Sequence, residues 1–230
     1  MKFYLALFLS FFTSIQSLYA RCGGKVDLGP AYIHLDVLQS NKTIKTMDLL
    51  GVKADATLLP FEGKGWGIKP GLLYGSGDGK KGEIFSGGIG FCHCTPITDS
   101  ITLTPSIGVT WGYVKTHVRI PPVEMFGRQH FVEKFHSISP YIGLDATYTF
   151  CKGLRICGMI QYAWSRTHTT IVGLLKDKSN AQGPNYAVML EYDLNAQWSL
   201  QIAGAYNISL SREKHGIRGA GGKIGIAYWF

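Results

Sequence analysis

Apolar side chains alternate with small or polar side chains over long stretches of this chain. In residues 101–113, Ile, Leu, Val, Trp and Tyr take most odd positions, whereas Thr, Ser and Gly take the even ones. Residues 138–150 and 198–210 repeat this pattern. A period of two is typical of β-strands with one apolar and one polar face, and the Gly, Asn, Asp and Lys clusters between them predict turns. The pattern therefore predicts an all-β fold.

We predict about ten strands from the boundaries of the alternating segments. They lie near residues 26–38, 46–59, 66–76, 83–93, 101–117, 136–150, 154–168, 185–194, 197–210 and 222–230. Short connections at 60–65, 94–100, 151–153 and 195–196 alternate with mostly longer, Lys-, Arg- and Gly-rich ones at 39–45, 77–82, 118–135, 169–184 and 211–221. Short periplasmic turns and longer external loops are typical of transmembrane barrels. Eight or twelve strands remain alternatives, because Pro70, Pro105 and Pro140 interrupt strand ladders.

The two faces of these strands indicate a barrel that lies in a membrane. A soluble barrel has little interior room for Trp111, Tyr113, Trp164 and Tyr206 beside the other apolar side chains. Its outer surface would then consist of Gly, Thr and Ser with few charges. With the apolar face towards lipid, the same strands match tilted membrane-spanning strands of about 9–11 residues. We therefore predict a transmembrane antiparallel up-and-down β-barrel; a lipocalin-like or sandwich protein is the alternative.

The N-terminal segment has the layout of a secretory signal peptide. Lys2 precedes an apolar run from Tyr4 to Phe12, and Ala20 stands before Arg21. We predict a signal peptide at residues 1–20, a single barrel domain at 21–230, and export to the bacterial outer membrane. No later apolar run approaches the roughly 18–20 residues that a membrane-spanning helix needs.

The last strand is expected to close the barrel. Ile224, Ile226, Tyr228 and Phe230 form its apolar face, and pairing with the first strand removes an edge that would promote aggregation. This ending resembles the C-terminal assembly signal of bacterial outer-membrane barrels, which implies that the barrel-assembly machinery reads these four residues. The stretches PYIGLDATY and TPSIGVTWGY resemble strands of small outer-membrane barrels related to the opacity and OmpA-type families. That resemblance implies the architecture and no particular activity.

All five cysteines follow the predicted signal peptide and lie at or near the predicted periplasmic end: Cys22, Cys92, Cys94, Cys151 and Cys157. The periplasm permits disulfides, and an odd number leaves one thiol free or bound to a partner protein. The cysteines resemble those of chlamydial envelope proteins, which implies disulfide-linked envelope partners. Inert thiols are the alternative. A zinc site at residues 92–94 is disfavoured, because His93 points away from the face that Cys92 and Cys94 share.

Charged side chains on the predicted inner face nearly balance. The bases are Lys53, Lys69, Arg155 and Lys223, and the acids are Asp36, Asp55, Asp145, Glu191 and Asp193. Ionised groups in a narrow lumen need partners, so we predict a lumen plugged by salt bridges. The inward-facing glycines leave room for the alternative, a narrow gated channel for small solutes.

The predicted outer loops are basic, and the whole chain carries a formal net charge of +8. The candidate anion-binding residues are Lys42, Lys45, Arg119, Arg128, Lys134, Arg166, Lys176, Lys178, Arg212, Lys214 and Arg218. Such a surface attracts anions, and we predict lipopolysaccharide phosphates or sulfated host glycans as ligands. A solvated rim that settles into an anionic leaflet is the alternative. Nucleic acid is not expected as a partner.

No constellation of residues predicts an enzyme, a metal site or a cofactor. Outer-membrane proteases of ten strands use paired aspartates and an Asp–His couple at the rim, whereas Asp78, His117, His130 and His168 are isolated in this sequence. The glycine-rich stretch GSGDGKKG lacks phosphate-loop spacing and a following helix. We therefore predict a non-enzymatic outer-membrane barrel with a structural or adhesive role. A narrow channel is the first alternative and an enzyme at the rim the second.

Overall fold

The computed structural model describes residues 23–59, 65–77, 82–123, 127–151, 153–171 and 175–230. Side chains are described in these ranges except at residues 23, 117–131, 171, 175 and 176. The predicted signal peptide and Cys22 lie outside the described residues. Within the described ranges, no helix is long and apolar enough to cross a membrane.

Ten antiparallel strands follow one another along the chain. They are β1 (Gly23–Gln39), β2 (Lys42–Leu59), β3 (Gly65–Gly77), β4 (Gly82–Pro96), β5 (Ile101–Val123), β6 (Gly127–Cys151), β7 (Leu154–Ile171), β8 (Leu175–Asp193), β9 (Trp198–Leu210) and β10 (Gly216–Trp229). Each strand pairs with its sequence neighbours, and β10 pairs with β1, which closes the sheet into a barrel. The predicted ten-stranded up-and-down barrel is confirmed.

The two chain ends close the barrel at one rim. Gly24 and Phe230 exchange backbone hydrogen bonds, of 3.1 Å to the Phe230 carbonyl and 3.2 Å to the Gly24 carbonyl. Further along, Val26 pairs with Tyr228. The apolar last strand therefore has no free edge. We call this end the periplasmic rim and the opposite end the outer rim, following the predicted orientation.

The strands extend further at the outer rim than the sequence pattern predicts. The loops expected at 118–135 and 169–184 are largely continuations of β5 to β8. In the described residues, β4 pairs with β5 as far as Thr116 and β7 pairs with β6 as far as Glu133, so the hairpin beyond these levels projects from the barrel. The prediction of long loops is wrong for these segments. Hydrogen bonds between paired strands satisfy the backbone, so a Lys- and Arg-rich composition does not end the strands.

The connection between β1 and β2 is also shorter than predicted. Instead of a loop at 39–45, a tight turn at Ser40 and Asn41 joins the strands, with φ angles of 49° and 65°. Positive φ at both central residues is typical of a type I′ hairpin turn. This turn fixes the register of β1 against β2 as far as Leu38, where a β-bulge shifts the register by one residue.

The outer surface carries an apolar belt between two aromatic girdles. Ile107, Ile202 and Ile224 of the belt are 60%, 61% and 64% exposed. The periplasmic girdle includes Trp66, Phe91, Tyr148, Phe150, Trp198 and Tyr228, and the outer girdle includes Tyr32, Tyr74, Trp111, Tyr113, Tyr162, Trp164 and Tyr206. A bilayer covers this kind of surface. The predicted orientation, with the apolar face outside, is therefore correct for the belt.

A second apolar cluster lies on the inner side of the wall near the outer rim. It consists of the buried residues Leu35, Val37, Met47, Leu49 and Val114 and of Ile33, Ile84, Phe135 and Ile217, which pack against them. We call this set the apolar layer. Its members alternate with outward-facing residues, as Leu49 does with the exposed Leu50. The expectation that small polar side chains line the interior is therefore wrong for these strands near the outer rim, whereas β8 and β9 carry the polar pair Asn185 and Asn207 there.

Candidate functional site: a charged lumen and a basic outer face

A chamber of about 1630 Å³ occupies the lumen between the apolar layer and the periplasmic rim. Its wall includes Gly24, Leu59 and Phe230 at the rim, and Ala187 and Ala203 further into the barrel. Most of the charged side chains that face the lumen lie on this wall.

The charges of the lumen balance among the described residues. The bases are Lys25, Lys53, Lys69, Arg155 and Lys223, and the acids are Asp27, Asp55, Asp145, Glu191 and Asp193. Each takes part in an ion pair with another member of the set. Lys25 and Asp27 were not predicted to face the lumen, because β1 begins before residue 26 and its inner face is the one that had been predicted to face outward.

Glu191 is the centre of the largest cluster of ion pairs. It is 2% exposed. Its carboxylate accepts hydrogen bonds from the side chains of Lys25 (2.9 Å), Arg155 (3.0 Å), Ser199 (2.6 Å), Gln201 (2.9 Å) and Trp229 (2.8 Å). The Arg155 guanidinium also lies 4.4 Å from the centre of the Trp229 ring. The cluster joins β1, β7, β8, β9 and β10, and therefore ties together the seam where the chain ends meet.

Two further groups of charges lie on the chamber wall. Lys223 of β10 contacts Asp27 of β1 and lies 3.4 Å from Asp55. The carboxylate of Asp55 in turn lies 2.9 Å from Lys53. On the other side, Lys69 of β3 contacts Asp145 of β6. These pairs neutralise the lumen charges within the wall itself.

Asp36 does not face the lumen, contrary to the prediction. It lies on the outer face of β1, beyond the outer girdle, and accepts hydrogen bonds from Thr46 at 2.7 Å and Arg218 at 2.6 Å. The Thr46 hydroxyl and the Arg218 guanidinium hold the pKa of Asp36 below its usual value. The prediction failed because the two faces of β1 exchange polarity here: Leu35 and Val37 point into the apolar layer, whereas His34 and Asp36 face outward.

An Asp–His pair that the sequence analysis missed lies beside Asp36. The Nδ1 atom of His34 is 2.8 Å from Asp48, and its Nε2 atom is 3.7 Å from Asp36. His34 lies opposite Asp48 because a β-bulge shifts the register between Val37 and Leu38. The turn at Ser40 and Asn41 alone would set His34 opposite Met47, so the turn could not have revealed the pair. The pair lies on the outward face of the barrel, not in the lumen.

Of the four candidate residues for an enzyme at the rim, only the side chain of His168 is described, and it forms no pair with an aspartate. His168 lies on β7 opposite His136 and Lys178, both basic. Asp78 lies outside the described residues, as do the side chains of His117 and His130.

Six basic side chains share the outer face of β5 to β8 just beyond the outer girdle. They are Lys115, Lys134, His136, Arg166, His168 and Lys178, and we call them the basic face. The register sets Lys115 opposite Lys134, His136 opposite His168, and His168 opposite Lys178. Directly opposed residues of antiparallel strands have Cβ atoms about 4.5–5.5 Å apart. Basic side chains are therefore close neighbours over four strands, and Lys115 and Lys134 are directly opposed cations.

The basic face has few acidic partners. Glu83 lies 3.5 Å from Lys115. Among the described side chains, no carboxylate lies within 4.0 Å of the charged groups of Lys134, Arg166 or Lys178. These three were predicted as loop residues, whereas the structure places them on strands. Since adjacent cations repel each other, an anion bound between them would lower the energy of the face.

The other predicted anion-binding residues lie away from the basic face. Lys42, Arg212 and Lys214 are exposed at the ends of the β1–β2 and β9–β10 hairpins. The side chains of Arg119, Arg128 and Lys176 lie outside the described residues.

Two of the predicted anion-binding residues donate hydrogen bonds to other side chains of the barrel. Lys45 lies on β2 rather than in a loop, and its amine donates to Thr116, which is fully buried. Arg218 lies on β10 and is bound to Asp36. The prediction of exposed loop cations is wrong for both.

The four described cysteines have free thiols: Cys92, Cys94, Cys151 and Cys157. Cys94 and Cys157 line the chamber, Cys92 is buried, and Cys151 is exposed next to the periplasmic rim. No disulfide therefore forms among these four. His93 points outward against the Trp66 ring, 4.7 Å away, so residues 92–94 do not gather a metal site. Within the described ranges, no group of three or more His, Cys, Asp or Glu residues could hold a metal ion.

The C-terminal residues lie where an outward-facing apolar pattern places them. Ile224 and Ile226 are 64% and 50% exposed, and the Tyr228 ring lies 4.9 Å from that of Trp198. Phe230 makes the closing hydrogen bonds to Gly24. The role of these residues as an assembly signal stays a prediction.

Comparisons with known proteins agree on the fold. No protein-family model matches the sequence, and none of the curated proteins matches it. Among solved structures, the outer-membrane protease OmpT of Escherichia coli is similar, with 12% identity, a TM-score of 0.51, and coverage of 92% of this chain and 97% of that chain. The translocator domain of the autotransporter NalP of Neisseria meningitidis gives 11% identity, a TM-score of 0.51, and coverage of 90% and 88%. Ail, the attachment invasion locus protein of Yersinia pestis, gives 7% identity, a TM-score of 0.45, and coverage of 91% and 99%.

The predicted architecture of a small outer-membrane barrel is thereby confirmed at the level of fold. The similar structures are outer-membrane barrels, in agreement with the predicted location. They include a protease, so the fold by itself decides nothing about activity.

Proposed function

We propose that this protein is a non-enzymatic structural barrel of the outer membrane whose basic face binds the phosphate groups of lipopolysaccharide. The observation that carries the proposal is the row of basic side chains from Lys115 to Lys178 on adjacent strands, in which the cations Lys115 and Lys134 are directly opposed. Opposed like charges destabilise a sheet by roughly 0.2–1 kcal/mol per pair. A bound phosphate removes that repulsion and replaces it with charge-assisted hydrogen bonds.

The position of the basic face favours a membrane lipid over a ligand in the aqueous phase. His136 contacts the ring of Tyr113 in the outer girdle, with the ring centres 4.9 Å apart. Girdle aromatics lie at the level of the lipid headgroups, so the basic side chains next to them reach the phosphates of the outer leaflet. A sulfated host glycan would instead approach from the aqueous phase, and adhesion through the basic outer loops stays a separate prediction.

The lumen supports a structural rather than a catalytic role. Its charged side chains are engaged in pairs within the wall, and the Asp–His pair of His34 and Asp48 faces outward. Side chains held in this way stabilise the barrel seam and leave no described general base facing the chamber.

The proposal is tested by measuring how folded barrels in detergent bind fluorescent lipopolysaccharide at low and high salt. The test variant carries Lys134→Ala, Arg166→Ala and Lys178→Ala. The matched control carries Lys42→Ala, Arg212→Ala and Lys214→Ala, which removes the same charge from the opposite side of the outer rim. A cation near an anionic lipid surface contributes roughly 1 kcal/mol, so the test variant should bind on the order of a hundredfold more weakly at low salt.

The control variant should bind almost as well as the unaltered protein. Equal losses in both variants would show that binding follows net charge alone and would contradict the proposal. A heat-dependent shift in SDS gel mobility confirms that each variant is folded before binding is compared.

A further inference from the structure

We propose that the lumen of the barrel is a water-filled conduit through which small polar solutes, uncharged or zwitterionic, pass from one rim to the other. The inference goes beyond the proposed function and does not depend on the basic face. It rests on three features of the described interior: ion pairs that leave the chamber open, small side chains above the chamber, and a strip of polar side chains that continues to the outer rim.

The ion pairs of the chamber neutralise its charges without filling it. Lys53 and Asp55 lie on the same strand, and Arg155 pairs with Asp193 of the adjacent strand β8. The side chains of Lys53 and Asp55 remain 44% and 35% exposed. A water molecule takes a share of about 30 Å³ in the liquid, so the chamber of about 1630 Å³ has room for many of them.

Small side chains keep the lumen open above the chamber. Ala205 of β9 lies opposite Ala187 of β8 and opposite Gly221 of β10. Ala187 lines the chamber, so Ala205 shares the side of the wall that faces the lumen. Ala205 is nevertheless exposed. Solvent therefore reaches the inner side of the wall at this height.

A strip of polar side chains continues from Ala205 towards the outer rim along β6 to β9. Asn207 donates a hydrogen bond to Asn185, and the hydroxyl oxygens of Ser139 and Ser165 lie 2.7 Å apart. We call the polar strip the set that consists of Ser139, Ser165, Thr167, Ser179, Asn185, Asn207 and Ser209. All of these side chains except Ser139 are partly exposed.

The register confirms that the outermost part of the polar strip faces the lumen. Ser209 lies opposite Ile217, which packs against the apolar layer on the inner side of the wall. Thr167 lies two residues beyond Ser165 on the same face of β7, and it is opposite Ser179. The polar strip therefore runs inside the barrel as far as the outer rim.

The lumen near the outer rim thus has two unlike sides. The apolar layer lies on β10, β1, β2, β4, β5 and β6, and the polar strip lies on β6 to β9. Water along the polar strip keeps hydrogen-bond partners, so this side stays wet. Solutes with hydroxyl, amide or paired charged groups find the same partners. Because the chamber carries equal numbers of both charges, the path should favour neither cations nor anions.

The experiment measures the swelling of liposomes that contain the folded barrel. Swelling in a solution of the amino acid glycine, a small zwitterion, should be on the order of tenfold faster than in liposomes without protein. Swelling in the tetrasaccharide stachyose should not be faster, because this solute is too large for a narrow lumen. Heat-dependent gel mobility confirms that the barrel is folded.

Two double variants show whether the solute takes the proposed path. Ala187→Trp with Ala205→Trp fills the lumen above the chamber and should slow swelling in glycine by about fivefold or more. The matched control, Val188→Trp with Ala220→Trp, places the same bulk on exposed positions of the lipid-facing side and should leave the rate unchanged. Ala205→Trp alone replaces the first variant if that variant does not fold.

Planar bilayers test the expected lack of ion selectivity. Under a gradient of potassium chloride, the current through the unaltered barrel should reverse close to zero voltage. Swelling no faster than in liposomes without protein, equal rates in glycine and stachyose, an unchanged rate in the folded lumen-filling variant, or a current carried mainly by one ion would each overturn the proposal.

Discussion

Replacing Glu191 by glutamine is expected to destabilise the folded barrel by about 3 kcal/mol. The carboxylate accepts hydrogen bonds from five side chains, two of them cationic. A glutamine amide retains one acceptor oxygen and places a donor NH₂ group where the second oxygen was. The amide fits best with its oxygen towards Arg155, Ser199 and Trp229, because Gln201 can turn its own amide to accept from the new NH₂ group.

In this arrangement the amine of Lys25 faces the NH₂ group of the new glutamine, and both groups are donors. Breaking a buried ion pair by removing one partner costs about 3–5 kcal/mol. The Lys25 side chain is 14% exposed towards the chamber, so water recovers part of its solvation and the lower end of that range applies. A second replacement, Lys25→Met, removes the stranded cation and should restore part of the loss.

The assay is unfolding of the refolded barrel in urea, followed by the fluorescence of tryptophan. Glu213→Gln is the control, because the Glu213 side chain is 83% exposed and its replacement should change the free energy of unfolding by less than about 0.5 kcal/mol. A loss below about 1 kcal/mol for Glu191→Gln, or no recovery on adding Lys25→Met, would refute the account of the seam.

Three further predictions concern other parts of the barrel. Because the pKa of Asp36 is lowered in the folded protein, the hydrogen bonds from Thr46 and Arg218 stabilise the fold fully above the pKa of an unfolded aspartate. This stabilisation is lost as the pH falls through the lowered pKa. The difference in unfolding free energy between the unaltered protein and Asp36→Asn should therefore be constant at neutral pH and shrink in acid. Gly108→Ala should destabilise the barrel by about 1–3 kcal/mol, because the new Cβ would clash with the Ile89 carbonyl oxygen and would lie 2.6 Å from the Gly90 Cα atom and 2.8 Å from the Tyr141 ring. Gly158→Ala meets no atom within 4 Å and should be nearly neutral in the same urea assay. In single-cysteine variants, the exposed Cys151 should react with a maleimide on the order of tenfold faster than Cys92, which is 1% exposed, and equal rates would show that the wall opens at Cys92.

The architecture could be predicted because alternation is strict where lipid covers the barrel. On β5 and β9, bulky apolar residues such as Ile107 and Ile202 face outward, and small polar residues face inward. The alternation along each strand therefore identifies both the strand and the side that faces lipid. The terminal pattern ending at Phe230 likewise predicted a strand that closes on β1, as the structure shows.

The prediction failed where the polarity of one face changes along a strand. Leu35 and Val37 are apolar and face inward near the outer rim of β1, whereas Asp36 between them faces outward. The rule that the apolar face meets lipid therefore assigned Asp36 to the lumen and Asp27 to the outside. An apolar layer inside a membrane barrel reverses the contrast on which face assignment depends.

The basic residues of this face were predicted from the sequence, but their alignment across four strands was not. Lys134, Arg166 and Lys178 were each singled out, but as members of flexible loops. Their alignment depends on the extension of β5 to β8 beyond the girdle and on the register across four strands, neither of which the composition of single segments reveals.

The central claim, that the basic face binds lipid phosphate, is tested most directly by native mass spectrometry of the barrel extracted from outer membranes. The account predicts a bound, phosphorylated lipid A species on the unaltered protein and on the variant with Lys42→Ala, Arg212→Ala and Lys214→Ala. It predicts loss of that species from the variant with Lys134→Ala, Arg166→Ala and Lys178→Ala. Retention of the lipid by the latter variant, or its absence from the unaltered protein, would contradict the claim.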